Sequence, residues 1–371
     1  MPRRRLVPPY LPMHAGTLRA LEFDRIVDVV SGYAQTPMGG ARLAALRPLV
    51  DAGAVARALA ATAETARFLA DNHVGLQAPA EFQDILSVLG VEGRPLEPAQ
   101  LLALATFFSS VDSTAATIRR ARSSFPILRA IADTVASFER ETADIRRKID
   151  PSGDVADDAS PELRGIRDRL RKQRARLRGT LESYLRGKDT AKYLQQQIVT
   201  DRNGRYVLVV RSEHRSAIPG IIHGSSGSGA SMFLEPLSTV EINNDIVALE
   251  QQEVEEVRRI LLALTDAFRA REGDLQRTVA AATELDVLQA RAQFSLAIDG
   301  VEPKLAEDGR LELRASRHPL LIPAVRRRLT SSDAPESSPT PESRVPSPEP
   351  RTPIRTRFRS TSSSFRPSAC L

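Results

Sequence analysis

The chain has 371 residues, 42% of them hydrophobic, 26% charged and only 5% aromatic with no Trp, and its formal net charge is +6. That length allows two or three domains, each able to bury a core of mainly Leu, Val, Ile and Ala. The one cysteine, Cys370, excludes an internal disulfide framework and any Cys-based metal site. No apolar run approaches the ~18 residues of a membrane span, and the opening MPRRRLVPPYLPM lacks the apolar stretch of a signal peptide. The default expectation is a cytoplasmic protein. Arg greatly outnumbers Lys, a bias that codon usage shares with nucleic-acid binding.

In chain order, residues 1–16 read as a disordered extension. From Thr17 to Arg47 helical spacing begins, with Leu18, Leu21, Ile26, Val29 and Val30 on one face and breaks at Pro37 and Gly39-Gly40. Segments 50–72, 81–90, 98–121 and 126–149 read as helices, Pro98 and Pro126 sitting where helices start, and no strand is evident before 198. Residues 17–159 are thus a helical core. At Ser160 a capping residue precedes Pro161 and Glu162, a strong helix start.

The segment 160–197 then carries a narrow apolar seam, Leu163, Ile166, Leu170, Leu177, Leu181 and Tyr184, close to heptad spacing. Around it lie Arg164, Arg167, Arg169, Arg171, Lys172, Arg174, Arg176, Arg178, Arg186 and Lys188. A returning helix over 237–272 has a seam of Val240, Val247, Val254, Val257, Leu261, Leu264 and Phe268. Its surface is acidic through Glu241, Asp245, Glu250, Glu253, Glu255 and Glu256. Opposite charge and matching seams predict antiparallel pairing over roughly 50 Å at 1.5 Å per residue. The plainer alternative is two helices of a globular bundle.

Between them, 198–236 changes period. Tyr206–Val210 is β-rich and Asn203-Gly204 is a hairpin signal, while Ile218–His223 and Ser231–Leu234 offer further strands. Residues 274–298 return to helix within a segment 273–323 that rejoins the core, and Leu311–Leu313 reads as a strand. The tail, 324–371, reads as disordered. From 331 onward it holds 8 of the 25 prolines and 11 serines with no apolar period. The fold class is mainly α: a helical core and a long antiparallel two-helix lever carrying a small β clamp at its tip.

Chemical motifs are few. Gly224–Ser231 nearly spells G-x-x-x-x-G-K-[ST], but Ala230 stands where the phosphate-binding Lys belongs and strand-like residues follow. Hydroxyls and amides of such a loop, at Ser225, Ser226 and Ser228, suit a phosphodiester backbone; a plain surface turn is the alternative. Arg202, Arg205, Arg211, His214 and Arg215 flank the strands as phosphate contacts or as solvated charges. His14, His73, His214, His223 and His318 form no metal-ligand spacing, and Glu213 and His214 would point to opposite faces of a strand. No Ser/His/Asp constellation is present, so no catalytic residue and no cofactor are assigned.

The segments LEFDRI (Leu21–Ile26), Thr36-Pro37-Met38-Gly39 and Arg47–Leu49 resemble the opening of bacterial MutS-type proteins of the second branch. LRGIRDRL (Leu163–Leu170), Ile198–Val210, Ile221–Pro236, Asn243-Asn244 and Arg317–Leu321 extend that resemblance over about residues 17–323. It implies a DNA-binding homodimer that suppresses recombination by engaging branched or mismatched DNA, with a further role at ribosomes. It also implies an ATPase domain using ATP and magnesium and, in some members, a nuclease domain. No G-x-x-x-x-G-K-[ST] occurs in this sequence, which is therefore expected to be a truncated or frameshifted member, non-enzymatic as encoded. Dimerisation through the ATPase domain is left open. Expected DNA contacts are Arg205, Arg211, Arg215, His214, Ser225, Ser226 and Ser228 at the clamp, and Arg167, Arg171, Arg174 and Arg178 along the lever. The alternative function is a coiled-coil interaction module that binds protein or ribosome.

Overall fold

The computed structural model describes residues 15–202, 204–306 and 310–332. Residues to Leu329 group as one unit and those from Thr330 as another. The extension and tail expected to be disordered fall, for residues 1–14 and 333–371, outside the described residues. Eight helices come first: α1 (Ala15–Ala20), α2 (Phe23–Ser31), α3 (Pro37–Ala44), α4 (Ala52–Asp71), α5 (Phe82–Leu89), α6 (Pro98–Arg120), α7 (Pro126–Ala132) and α8 (Glu139–Lys148). Local chemistry fixes their starts. Thr36 Oγ1 accepts from the Gly39 amide at 3.1 Å ahead of Pro37, and Asp51 accepts from Ala54 at 2.6 Å. The stretch 126–149 is two helices, not one.

α6 runs through the centre of the core. Its Leu101, Leu104, Phe107, Phe108 and Val111 are buried, and rings pack tilted around it: Phe82 on Phe107 and Phe108 on Phe138, each with centroids 4.3 Å apart. By length and composition alone α6 passes for a membrane span, which the sequence reading missed; its apolar side is packed inside this core. Another tie joins distant parts of the chain. Asp286 is fully buried and accepts from the Gln35 amide at 2.9 Å, the Thr36 amide at 2.8 Å and the Thr36 hydroxyl at 2.6 Å. A Cβ on Gly39 would meet Asp286 Oδ2 at 2.1 Å. The Thr36-Pro37-Met38-Gly39 motif is thus a docking joint, in which a helix start is closed by a carboxylate from far along the sequence.

After the core come α9 (Pro161–Arg186), β1 (Leu194–Arg202), β2 (Arg205–Arg211), β3 (Gly220–Ser225), β4 (Ser231–Pro236), α10 (Leu237–Arg269), α11 (Glu272–Ala297) and α12 (Pro323–Ser332). Ser160 Oγ caps α9 by accepting from Leu163 at 3.0 Å, as its sequence predicts. α9 and α10 pair antiparallel: Arg167 meets Glu253, Arg174 meets Glu250, and Tyr184 meets Ser238. At 1.5 Å per residue, the 26 residues of α9 span about 39 Å and the 33 of α10 about 50 Å. The far end of α10 is rooted in the core, where Phe268 stacks on Phe108 and Phe138 at 5.5 Å. Deleting such a buried ring costs about 3–5 kcal/mol.

Between α9 and α10 the four strands form an antiparallel sheet in the order β1-β2-β4-β3. Its inner residues Leu194, Leu208, Val210 and Leu234, with Ile218 of the connection ahead of β3, which starts at Gly220 and not at the expected Ile218, join Ile166, Leu170, Leu177 and Leu181 of α9 and Ile242, Ile246 and Leu249 of α10 in one apolar cluster. This cluster is separate from that of the core. Between the two lies a polar layer, where Ser160 donates to Glu256 at 2.6 Å and Arg167 binds Glu253 at 2.7 Å.

Several expectations shift. α9 ends at Arg186 instead of 197, a 3-10 turn follows at Ala191–Tyr193, and β1 starts at Leu194 instead of 198. Leu261, Leu264 and Phe268 of the expected α10 seam are buried, but towards the sheet the contact line runs through Ile242, Ile246 and Leu249, whereas Val254 is 70% exposed and Val240 and Val247 are half-buried. The valines stand at strict heptad spacing, which drifts by ~20° per heptad around a straight helix. Counting back from Phe268, that drift carries Val254 and Val247 off the contact line. Glu213 and His214 lie in a 3-10 turn, Ser212–His214, and not in a strand. Leu311 and Leu313 belong to no strand and are exposed, and α12 carries regular structure into the stretch read as tail.

Candidate nucleic-acid interface

The sheet has two chemically different ends. β1 and β2 meet in a two-residue turn, with Arg202 opposite Arg205 and Gly204 at φ 74°; Asn203 lies outside the described residues. At the other end Arg211 pairs with Ser231, Ser225 pairs with Met232, and the Gly/Ser loop connects β3 to β4. The positive φ of Gly224 (134°) and Gly229 (71°) lets that loop turn without strain.

Arg211, Ser225, Ser226 and Ser228 lie at the loop end, and His214 and Arg215 follow in and just after the 3-10 turn Ser212–His214 that leaves it. Arg211 and Arg215 are exposed and form no ion pair. His214 is half-buried against the Tyr193 ring at 5.1 Å, with Glu213 at 3.5 Å. Ser226 stitches the loop, its amide donating to Ser231 O at 2.8 Å and its hydroxyl accepting from the Ser231 amide at 3.2 Å. Ser212 Oγ donates to Gly229 O at 2.6 Å. The amides of Gly227 and Ser228 make no internal hydrogen bond among the described residues, and the Ser225 and Ser228 side chains are exposed. Ser228 Oγ lies 3.4 Å from Ser226 Oγ, and the exposed loop amides and hydroxyls beside the Arg211 guanidinium form a surface an anion can approach. A strand, β4, follows the loop, so the near match to a P-loop lacks the helix that motif needs.

Arg205 sits at the opposite end in a different role. Its guanidinium donates to both oxygens of Glu235, at 2.8 and 3.1 Å, and to Asn244 Oδ1 at 2.5 Å. Glu235 is fully buried; Asn243 Nδ2 donates to it at 2.8 Å and His223 Nε2 lies 2.6 Å away. Asn243 Oδ1 also accepts from the Tyr206 amide at 3.2 Å. The most distinctive residues of 198–236, together with Asn243-Asn244, therefore converge on one buried carboxylate that ties β2, β3 and β4 to α10. A buried carboxylate is tolerated only when so bound. Arg202 lies near this end, exposed, with its guanidinium 3.9 Å from the Phe233 ring centre.

Along α9 the basic residues split. Arg167 binds Glu253 at 2.7 Å and Asp157 at 2.6 Å, and Arg171 binds Asp157 at 2.9 Å and Asp168 at 2.5 Å. Burial disfavours the charged Arg167, yet its two carboxylate partners outweigh that and raise its pKa. Hydrogen bonds from Asp168 and Asp157 raise that of Arg171, and the two arginines hold Asp157 below the ordinary carboxylate range. Arg174 binds Glu250 at 2.7 Å. Arg178 alone of this set is exposed without an ion pair. The charges assigned to a DNA-facing flank are thus largely matched by acidic partners. Residues Arg169, Lys172 and Arg176 carry no ion pair and line a groove of about 510 Å³ with Gln173 and Gln252. Their spacing was visible in the sequence, but nothing there separated them from the paired arginines.

Among the described residues no group of three or more His, Cys, Asp or Glu converges as a metal site. No family model matches the sequence. Three relatives, all named endonuclease MutS2, align with it. That of Symbiobacterium thermophilum is 36% identical over 316 residues, that of Pelotomaculum thermopropionicum 34% over 314, and that of Carboxydothermus hydrogenoformans 32% over 309. The chain spans 39% of the length of these curated relatives. Aligned along 83% of its own length at this identity, the chain belongs among the homologues of endonuclease MutS2.

Proposed function

We propose that this chain binds DNA through the loop end of its sheet, with the α9–α10 pair as a lever and the sheet as a clamp that grips the phosphodiester backbone. The observation that carries the reading is the contrast at that end: Arg211, beside the loop and its unbonded Gly227 and Ser228 amides, and Arg215, just beyond the 3-10 turn, are exposed and have no carboxylate partner among the described residues. The homology to proteins named endonuclease MutS2 supports DNA as the anion. Contacts of this kind confer affinity and salt dependence without base specificity, and so suit branched or mismatched DNA and a role in restraining recombination in the cytoplasm. We assign no cleavage or nucleotide hydrolysis to the described residues.

Fluorescence anisotropy with duplex and four-way-junction DNA across a salt series tests this. The wild-type chain should bind with affinity falling steeply with salt, and Arg211→Gln with Arg215→Gln should weaken binding and flatten the slope by about 2. No binding at low salt, or a slope the double variant leaves unchanged, contradicts it.

A second reading, an interaction module for a protein or ribosomal partner, is favoured by one observation. The edge strands β1 and β3 leave Ile198, Ile221 and Ile222 exposed at 51%, 43% and 50%, and unpaired apolar edges invite another chain.

A further inference from the structure

The two flanks of α9 are electrostatically unequal. At ~100° per residue, Arg167, Arg171, Arg174 and Arg178 fall on one side of the apolar seam and Arg169, Lys172 and Arg176 on the other. The first flank faces Glu250 and Glu253 of α10 and Asp157 of the preceding loop. The second faces a stretch of α10 that presents Asp245, Ala248 and Gln252, and its three cations are exposed with no ion pair. Asp245 is the one carboxylate lining that groove, and it accepts from the Gln173 amide at 3.0 Å. Arg169 donates to Gly165 O of its own helix at 3.3 Å, but among the described residues none of the three forms an ion pair, as the arginines across the helix do. Acidic residues crowd one flank, and the other has Asp245 alone lining its groove.

Resting on the DNA-binding reading above, we propose that this groove is a separate duplex-DNA backbone site, in which Arg169, Lys172 and Arg176 contact successive phosphates of one strand. The spacing supports it. Residues 169 to 176 cover about 10 Å of helix axis, and one strand of B-DNA carries a phosphate every ~3.4 Å of its axis, so about three phosphates lie within reach. The neutral amides of Gln173 and Gln252 can donate hydrogen bonds without repelling the phosphates. The site lies along the helix pair and not at the loop end of the sheet, so an occupied groove lays DNA along the lever while the loop end grips it elsewhere.

The test compares full-length variants by anisotropy with duplex DNA between about 50 and 200 mM salt. Arg169→Gln, Lys172→Gln and Arg176→Gln together should cut affinity about tenfold or more and flatten the log–log slope by about 2–3, with thermal stability retained. A charge-retaining variant, Arg169→Lys with Arg176→Lys, should keep the wild-type slope. Removing three exposed core charges, Arg57→Gln, Arg122→Gln and Arg140→Gln, should change it little. An unchanged slope in the groove variant overturns the inference, as does an equal loss in the core control. Tighter binding of duplex RNA through the same three residues overturns the assignment to DNA. A wild-type chain that binds no DNA overturns both this inference and the function it rests on. A groove variant that binds as wild type, while the Arg211/Arg215 variant is weakened, overturns this inference alone.

Discussion

Arginine stands at both ends of the sheet in opposite situations. At the turn end Arg205 is locked on a buried carboxylate, Glu235, that also receives Asn243 and contacts His223. At the loop end Arg211, and just beyond it Arg215, face solvent with no acidic partner among the described residues. The same division runs along α9, where Arg167, Arg171 and Arg174 are paired and Arg169, Lys172 and Arg176 are not. The lesson is that a count of basic residues overstates the electrostatic footprint. A guanidinium already bound to a carboxylate offers a phosphate little, because engaging the phosphate means giving up a charge-assisted hydrogen bond of similar strength.

Substitutions should separate paired from free groups, and the largest effect falls where pairing is most complete. Gly39→Ala drives a methyl into Asp286, whose donors are backbone amides that cannot retreat. A loss of about 3 kcal/mol or more is expected in denaturant unfolding. Next, Arg205→Ala leaves Glu235 buried and short of its strongest partner, costing about 2–4 kcal/mol in the same measurement. Below the lowered melting temperature its DNA affinity should stay near wild type; a loss there would recast Arg205 as a contact. For the free set the signs exchange: Arg211→Gln with Arg215→Gln should lower DNA affinity about tenfold at ~0.1 M salt and leave the melting temperature unchanged. Arg167→Gln with Arg174→Gln should cost roughly 1 kcal/mol of stability and change affinity less than about twofold.

The smallest effect is on acidification. Glu256 is held below the ordinary range by its hydrogen bond to Arg259, against the opposing effect of burial and with help from Ser160. A carboxylate with a depressed folded pKa stabilises fully above its unfolded value, near 4.3, and that contribution is lost as pH falls through the lower folded value. Glu256 lies in the polar layer between the core and the helix pair, so amide protection near Ser160 and Glu256, measured relative to intrinsic exchange at each pH, should fall below about pH 4. That protection should stay constant between pH 5 and 8 if no other group in that layer titrates there.

What the sequence disclosed followed from local signals. The helical core, the Ser160 cap and the hairpin turn at Gly204 rest on neighbours within a few residues, and the charge of each long helix can be read along its own length; each appears where it was expected. Half of the α10 contact line was legible, since Leu261, Leu264 and Phe268 are buried as expected; the other half follows Ile242, Ile246 and Leu249, off the heptad positions of the valines, and Glu253 and Glu256 fill the step between as partners of Arg167 and Ser160. The end of α9 was missed because Leu194–Gln197 carries no strand alternation. The role of Arg205 was hidden because Glu235 lies 30 positions away, and no periodicity links β2 to a buried carboxylate on its sheet neighbour β4. The loop end was legible as a Gly/Ser and Arg cluster, but which of its arginines stay unpaired depends on tertiary contacts alone.

The central claim is that the loop end of the sheet meets DNA. The most direct test is photocrosslinking from an aryl azide attached to Ser228→Cys, with Cys370→Ser to leave one thiol, and with the same group on Ser123→Cys, exposed on the core, as reference. With bound duplex DNA the account predicts adducts from position 228 that vanish as salt rises, and none from position 123. DNA that binds with full affinity yet forms no adduct at 228 would contradict it.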